Sequence, residues 1–508
     1  MISNVVFTVF LSAVSAASSY TPVNGACPSG SLVRAASGLS DNEEAYRVSR
    51  QVVADEALRT WLAKTNTAFG STGDLPSIAL SSSGGGLRST LTSAGVVQAF
   101  DDRESTSSTS GLFQALTYHA ALSGGGWLLA SMAGNNYPTI SALRDDIWED
   151  GFRNSLLAPG GLLVAIADAK IMIDVSDKEE AGFDTTLVDV YGRLLAWQLL
   201  DVGDHGTSTT LSSIASLSSF TSHSVPYPIW TAMGVKVFEG ECAPGPNGTL
   251  YEMSPFEFGS WDDDVSAFMQ TQYLGTSMKN GVPASAQCTT NYDNLGYTMA
   301  TSANIFYPVC LNAPDITGDD VLTSLGALFD TNNISAQEVL SLADGASSLQ
   351  NDPIFPLLQP ARNISVMIVN DNSADLSTNF PNGTAIVTTY VQTFNQDLEL
   401  MPTIPPVDVF VAQGLNTRAT FFGCDEPEKT TIIYLPNADY TFNSGTSTTK
   451  IGCSKDDTNS MITNGNQVAE QGEREGWATC PGCGIMKKAA QSLPAECTAC
   501  FAEYCFTA

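Results

Sequence analysis

Ser123 lies in Ala121-Leu122-Ser123-Gly124-Gly125-Gly126-Trp127, a serine followed by consecutive glycines directly after an apolar run. This is what a sharp strand-to-helix turn needs. Small residues let the backbone bend tightly, leave the hydroxyl exposed and free backbone N–H groups to bind a developing oxyanion. A second glycine turn lies upstream in Ser83-Gly84-Gly85-Gly86-Leu87-Arg88, and an isolated Asp344-Gly345 lies far downstream. Together these supply a nucleophile, an anion cradle with a cation, and a base.

A serine hydroxyl is too weakly acidic to attack unaided, so a base must lie within hydrogen-bond reach. The chain offers three histidines. His119 precedes Ser123 by four residues on the incoming strand, where its ring is badly oriented to act, and His205 and His223 lie in Ser/Thr-rich sequence of surface-loop character. A Ser-His-Asp arrangement is therefore poorly supported, and a carboxylate acting directly on the serine is the better candidate. Asp344 follows an apolar stretch, and Asp-Gly suits a tight turn at a strand end; the plain alternative is a surface-turn aspartate. The Gly84–Gly86 run fits neither the dinucleotide fingerprint nor the P-loop, so an oxyanion hole formed by Gly85 and Gly86 at a helix N-terminus is preferred to a nucleotide cradle. Arg88, on the first helical turn, has a planar fork suited to a phosphodiester, and an equally good reading as a structural ion pair.

The elements that must hold these groups are legible in outline. Pro76 opens a short buried strand through Ser77–Ser81, the glycine turn follows, and Thr90–Phe100 reads as a helix. Gly111–Leu122 repeats the theme, with Trp127–Met132 as the helix behind the Ser123 turn. Strand–glycine turn–helix, twice, predicts an α/β fold with a mainly parallel central sheet flanked by helices and a site at the strand ends. Glu43–Leu62 has helical spacing, Leu349–Leu358 reads as an irregular Pro-containing loop, and Ile364–Val369 as another buried strand. Leu156–Ile173 is apolar around Pro159-Gly160-Gly161 and reads as a core helix after a turn, with a lipid-facing lid as the alternative. From Cys424 the sequence turns polar and disulfide-like. The Cys480-x-x-Cys483 and Cys497-x-x-Cys500 pairs have zinc-like spacing, but disulfides are the better reading in an exported chain.

Export is the expectation from several features. Residues 1–17 read as a signal peptide with an apolar core from Val5 to Val14. Sequons stand at Asn247, Asn333, Asn363 and Asn382, each a candidate glycan site. Eleven cysteines favour disulfides and leave at least one unpaired or shared between chains. No later stretch reaches the roughly 18 uninterrupted apolar residues of a membrane span, and the C-terminus is no greasy anchor signal. A net charge of −31 argues against nucleic acid as a partner and predicts repulsion from anionic membranes at neutral pH. At 508 residues and 43% apolar, the chain can bury a substantial core.

The ordered motifs resemble the fungal phospholipase B (lysophospholipase) family, whose catalytic core is similar to that of the cytosolic phospholipases A and of patatin. The resemblance runs through Tyr20-x-Pro22-Val23, Cys27-Pro28, Leu32-Val33-Arg34 and the two glycine turns. It continues through Tyr191-Gly192-Arg193, Glu257-Phe258-Gly259-Ser260-Trp261, Tyr273-Leu274-Gly275-Thr276, Asp344-Gly345 to Gln350-Asn351-x-Pro353, and the cysteine-rich end. It implies one catalytic domain over 18–508, with 424–508 as a disulfide-rich C-terminal part. It implies Ser123 as nucleophile, Asp344 as its base in a dyad, Gly85 and Gly86 as oxyanion hole, and Arg88 as the phosphate-binding cation. It also implies no cofactor or metal, lysophospholipid and phospholipid substrates at membrane or micelle surfaces, and an extracellular, secreted or cell-wall location. Three positions depart from the family pattern: Ala121 and Ala346 stand where glycine is usual, and Gly126 where serine or threonine is. The alternative readings are a secreted Ser-His-Asp esterase on small esters and a non-catalytic lipid-binding or cell-surface homologue.

Overall fold

A computed structural model describes residues 18–70, 73–153, 155–156, 164–200, 203–236, 243–279, 281–305, 340–489 and 492–507. The signal-peptide expectation for residues 1–17 lies outside them, as does Asn333. The body is an eleven-stranded sheet flanked by helices. In chain order its strands are β1 (Val33–Ala35), β2 (Ile78–Ser82), β3 (Leu116–Ala121), β4 (Tyr227–Val235), β5 (Leu250–Met253), β6 (Glu257–Ser260), β7 (Ala267–Gln270), β8 (Ser341–Ala343), β9 (Val366–Asp371), β10 (Thr420–Phe422) and β11 (Thr431–Pro436). The spatial order is β10-β11-β9-β2-β3-β4-β5-β6-β7-β1, with β8 added to β4.

The sheet is mixed rather than mainly parallel. Five neighbouring strands, β11-β9-β2-β3-β4, are parallel, and every other pairing is antiparallel. The parallel strands are buried along their whole length and mostly apolar, with Ser81, Ser82, Asn370 and Asp371 at the C-terminal ends of β2 and β9, as crossovers that place helices on both faces require. Two of these crossovers are the strand–glycine turn–helix units read from the sequence. Helix α1 (Asp41–Thr65) precedes them, β2 feeds α2 (Leu87–Phe100), and β3 feeds α3 (Ser123–Gly134). The latter starts at Ser123 itself, four residues before the start expected from the apolar pattern.

The segment after Cys424 is no separate appendage. It contributes β11 to the parallel core, and helix Lys455–Glu470 packs on α2 so closely that a Cβ on Gly465 would fall 2.9 Å from the Gly95 Cα. The cysteines there are disulfides, Cys480–Cys500, Cys483–Cys497 and Cys424–Cys505, and Cys27–Cys288 ties the N-terminal segment down; Cys453 is a free, buried thiol. The Leu156–Ile173 stretch is helical from Val164, inside a helix ending at Glu180. Ala167 and Ile171 are buried and Met172 and Ile173 exposed, an amphipathic surface helix. Residues 355–358 of the expected loop form a short 3-10 turn.

Buried charge braces the sheet. The Arg50 guanidinium on α1 donates to the carbonyls of Leu116, Gln114 and His223, fixing the start of β3. Arg362 bridges Glu43 on α1 and Glu252 on β5, and Glu43 also accepts from the Tyr118 hydroxyl on β3. Among the described residues no helix is long and apolar enough to cross a membrane.

Candidate active site

The two glycine turns leave the C-terminal ends of adjacent parallel strands β2 and β3, and they meet backbone to backbone. A Cβ on Gly124 would lie 2.7 Å from the Gly86 nitrogen and 2.9 Å from its carbonyl carbon. The Thr90 hydroxyl stands between the Gly86 and Gly124 carbonyl oxygens, 3.1 and 2.8 Å away. Side chains at either turn would hold the two apart. Gly85 and Gly86 have φ of 144° and 60°, conformations that favour glycine. Ser123 has φ of 50°, rare for a residue with a Cβ and characteristic of a nucleophile presented on a sharp elbow.

The hydroxyl of Ser123 lies close enough to the carboxylate of Asp344 to favour its ionised form. Short antiparallel strand β8, paired to the C-terminal half of β4, delivers Asp344 to the elbow. The Asn304 carbonyl accepts the Asp344 N–H at 2.9 Å, and the Ala346 N–H donates to Asp344 Oδ1 at 2.9 Å. Asp344 is 3% exposed; burial pushes its carboxyl up to about 6, while the nearby Ser123 hydroxyl and the Ala346 N–H hold it lower than burial alone would. It is thus ionised at neutral pH yet a far stronger base than an exposed aspartate.

The N–H groups of Gly85, Gly86 and Gly124 have no acceptor among the described residues, whereas the Gly84 N–H is held by the Asn351 carbonyl at 3.1 Å. Gly124 thus adds a donor beside the elbow to the two that the sequence suggested. Arg88 lies behind Gly85 and is 1% exposed. Its nitrogens donate to the Asn372 carbonyl (2.9 Å), the Thr446 carbonyl (2.5 Å) and Thr448 Oγ1 (3.1 Å). Desolvation lowers it to about 10, offset in part by Asp371 and Asp375, so it stays charged.

None of the histidines replaces Asp344 in these contacts. His119 is buried in β3 with Nε2 2.9 Å from Ser82 Oγ, and burial drives it down to about 3. The His205 ring stacks on Trp197 with centroids 3.8 Å apart, and His223 tilts against Tyr46. Sequence reasoning missed Ser302. Its hydroxyl donates to the Thr231 carbonyl (2.7 Å) and accepts the Ser123 N–H (3.2 Å), fixing the elbow to β4. Nothing in the local sequence marks it. Of the three departures, Ala346 still gives Asp344 its N–H, Ala121 is accommodated in the core, and a Cβ at Gly126 would come 3.1 Å from Trp230 Cδ1. Asn247 and Asn363 are exposed; Asn382 is half-buried, its side-chain oxygen bound to Thr384. No group of residues suited to a metal ion occurs among the described residues.

A serine on a strained elbow, a buried carboxylate near its hydroxyl and backbone N–H groups beside both thus lie together at the strand ends of a mixed α/β sheet. The fold is that of human group IVD cytosolic phospholipase A2, with a TM-score of 0.67 and 15% identity over 92% of this chain and 72% of that one. Residues 78–327 and 326–508 match the lysophospholipase catalytic domain family. Lysophospholipase 1 of Saccharomyces cerevisiae is 36% identical over 96% of this chain and 83% of its own length. Lysophospholipase 3 of Aspergillus fumigatus is 35% identical over 96% and 87%. The chain belongs to the lysophospholipase catalytic domain family and is an enzyme of that family.

Proposed function

We propose that the chain is an exported lysophospholipase, with phospholipase B activity on diacyl lipids, that cleaves fatty acyl esters through a Ser123–Asp344 dyad and an acyl-enzyme. The contact between the Ser123 hydroxyl and the buried Asp344 carries this reading. Asp344 takes the hydroxyl proton as Ser123 Oγ bonds to the ester carbonyl carbon. The carbonyl oxygen, now an anion, is held by the Gly85, Gly86 and Gly124 N–H groups. The ester C–O bond breaks as Asp344 returns the proton to the departing glycerol oxygen. Water, deprotonated by the same carboxylate, then releases the fatty acid.

Arg88 contributes the field of a fixed positive charge to a head-group phosphate rather than a bidentate contact, because its fork is held by protein acceptors. An apolar acyl chain suits the rim: Ile305 and Leu349, each about half exposed, flank the segments that carry Asp344. Export is supported by four disulfides among the described residues and by exposed sequon asparagines at 247 and 363. The test is fatty-acid release from lysophosphatidylcholine: Ser123→Ala and Asp344→Asn should each abolish it with folding retained. Full activity in either folded variant would remove the dyad.

A further inference from the structure

Two buried carboxyls beside the anion cradle take no part in the chemistry above. Asp371, at the end of β9, accepts the Ser373 N–H on Oδ1 at 2.8 Å and the Tyr434 hydroxyl on Oδ2 at 2.7 Å. Asp352, 2% exposed, meets no donor on either carboxyl oxygen; burial above all, and then the neighbouring Asp371 and Asp375, opposes its ionisation. A carboxyl with no donor beside a second carboxylate in a dry interior does not ionise together with it, so the pair holds one proton. The surrounding charges decide where. Asp371 and Asp375, on the loop after β9, both oppose ionisation of Asp352, while Arg88 on α2 favours the ionised forms of Asp371 and Asp375. The remaining titratable neighbour, Tyr434 on β11, is held neutral by burial and by these acids.

The pair stands between two segments that clamp the glycine turn. Asn351, next to Asp352, accepts the Gly84 N–H with its carbonyl at 3.1 Å. Its Nδ2 donates to the Gly84 carbonyl at 3.1 Å and to Ser373 Oγ at 2.8 Å. From the other side the Asn372 N–H donates to Ser83 Oγ at 2.6 Å, and the Asn372 carbonyl accepts from Arg88 Nε.

We propose that Asp352 is a positioning residue: protonated and bonded to Asp371, it draws segments 351–352 and 371–373 together around Gly84–Gly86, and loss of that proton loosens the oxyanion cradle at alkaline pH. The proposal rests on the reading of those glycines as the cradle. A buried acid held above its ordinary range contributes stability that is complete below that range and is lost as pH rises through the raised value.

The experiment compares the full chain and Asp352→Asn, whose amide donates to Asp371 at every pH, by thermal unfolding and by kcat on lysophosphatidylcholine from pH 4 to 9. The variant should lose less Tm than wild type as pH rises from 4 to 9, and its ratio of kcat at pH 9 to kcat at pH 5 should exceed that of wild type. Parallel Tm curves, or an unchanged kcat ratio, would overturn the proposal. If Asp352→Asn does not fold, Asp352→Leu, which also removes the titrating group, should flatten the Tm curve in the same way, and failure to do so overturns it. Absence of fatty-acid release by wild type would sink the functional reading, while the Tm curves still decide the pair.

Discussion

Replacing Gly124 by alanine tests whether the two glycine turns form one catalytic unit. The new Cβ would run into the Gly86 carbonyl oxygen and sit 2.7 Å from the Gly86 nitrogen, where ordinary contact begins at 3.4 Å, so the turns must separate by more than 0.7 Å. The obstructing atoms are backbone, and no side-chain rotation relieves them. A displacement of that size at the reacting centre costs about 10²-fold in rate, and losing a donor outright costs about 10²–10³-fold. Overpacking adds about 1–3 kcal/mol of destabilisation. Steady-state hydrolysis of lysophosphatidylcholine should therefore show kcat falling about a hundredfold with KM nearly unchanged, since the acyl and head-group contacts survive. Gly126→Ser is the control. Its Cβ would meet side-chain atoms of Trp230 and Ser302 at 3.1 and 3.4 Å, which a shift of a few tenths of an ångström relieves. Gly124→Ala turning over at the wild-type rate would refute the reasoning.

The acid limb of kcat/KM should follow ionisation of Asp344, with an apparent pKa of about 6, because the base must be unprotonated to act. The same burial carries a stability cost: the contribution of Asp344 is complete below about pH 4 and lost as pH rises through 6. Asp344→Asn should thus unfold at a higher temperature than wild type at pH 8, by up to about 3 kcal/mol of stability, while being inactive. Ser302→Ala leaves the Ser123 N–H without its partner and removes a bond to the Thr231 carbonyl; a loss of about 1–3 kcal/mol in denaturant melts, with a lower kcat, is expected. Arg362→Ala strands Glu43 and Glu252 in the interior and should cost about 3–5 kcal/mol by the same measurement.

The parts of this site carried by local backbone chemistry were readable before any coordinates. A mostly apolar run followed by glycines marks β2 and β3 and their turns, because buried parallel strands are rich in apolar residues and tight elbows exclude side chains. Asp344-Gly345 was readable as a strand-end turn, but β8 approaches from the opposite direction to the parallel strands, and only its pairing with β4 brings the carboxylate to Ser123. The start of α3 is hidden in the sequence because consecutive glycines weaken a helical pattern; here they are needed for contact with Gly86. β11 was hidden for another reason. Thr431–Pro436 is a fully buried strand inside a region whose cysteines and polarity dominated its reading. Ser302 and Asn351 act through contacts with residues distant in sequence, and Arg88 could not be seen to face three protein acceptors without the loop at 446–448.

The most direct test of the dyad is the rate at which a long-chain fluorophosphonate modifies the folded protein, read by intact-mass spectrometry with peptide mapping. One adduct on Ser123 is predicted, formed at least about 10³-fold more slowly in Asp344→Asn, in keeping with the role of a base in activating serine, and at the wild-type rate in His205→Ala and His223→Ala. Undiminished labelling of Asp344→Asn, or loss of labelling in either histidine variant with the fold intact, would contradict the account.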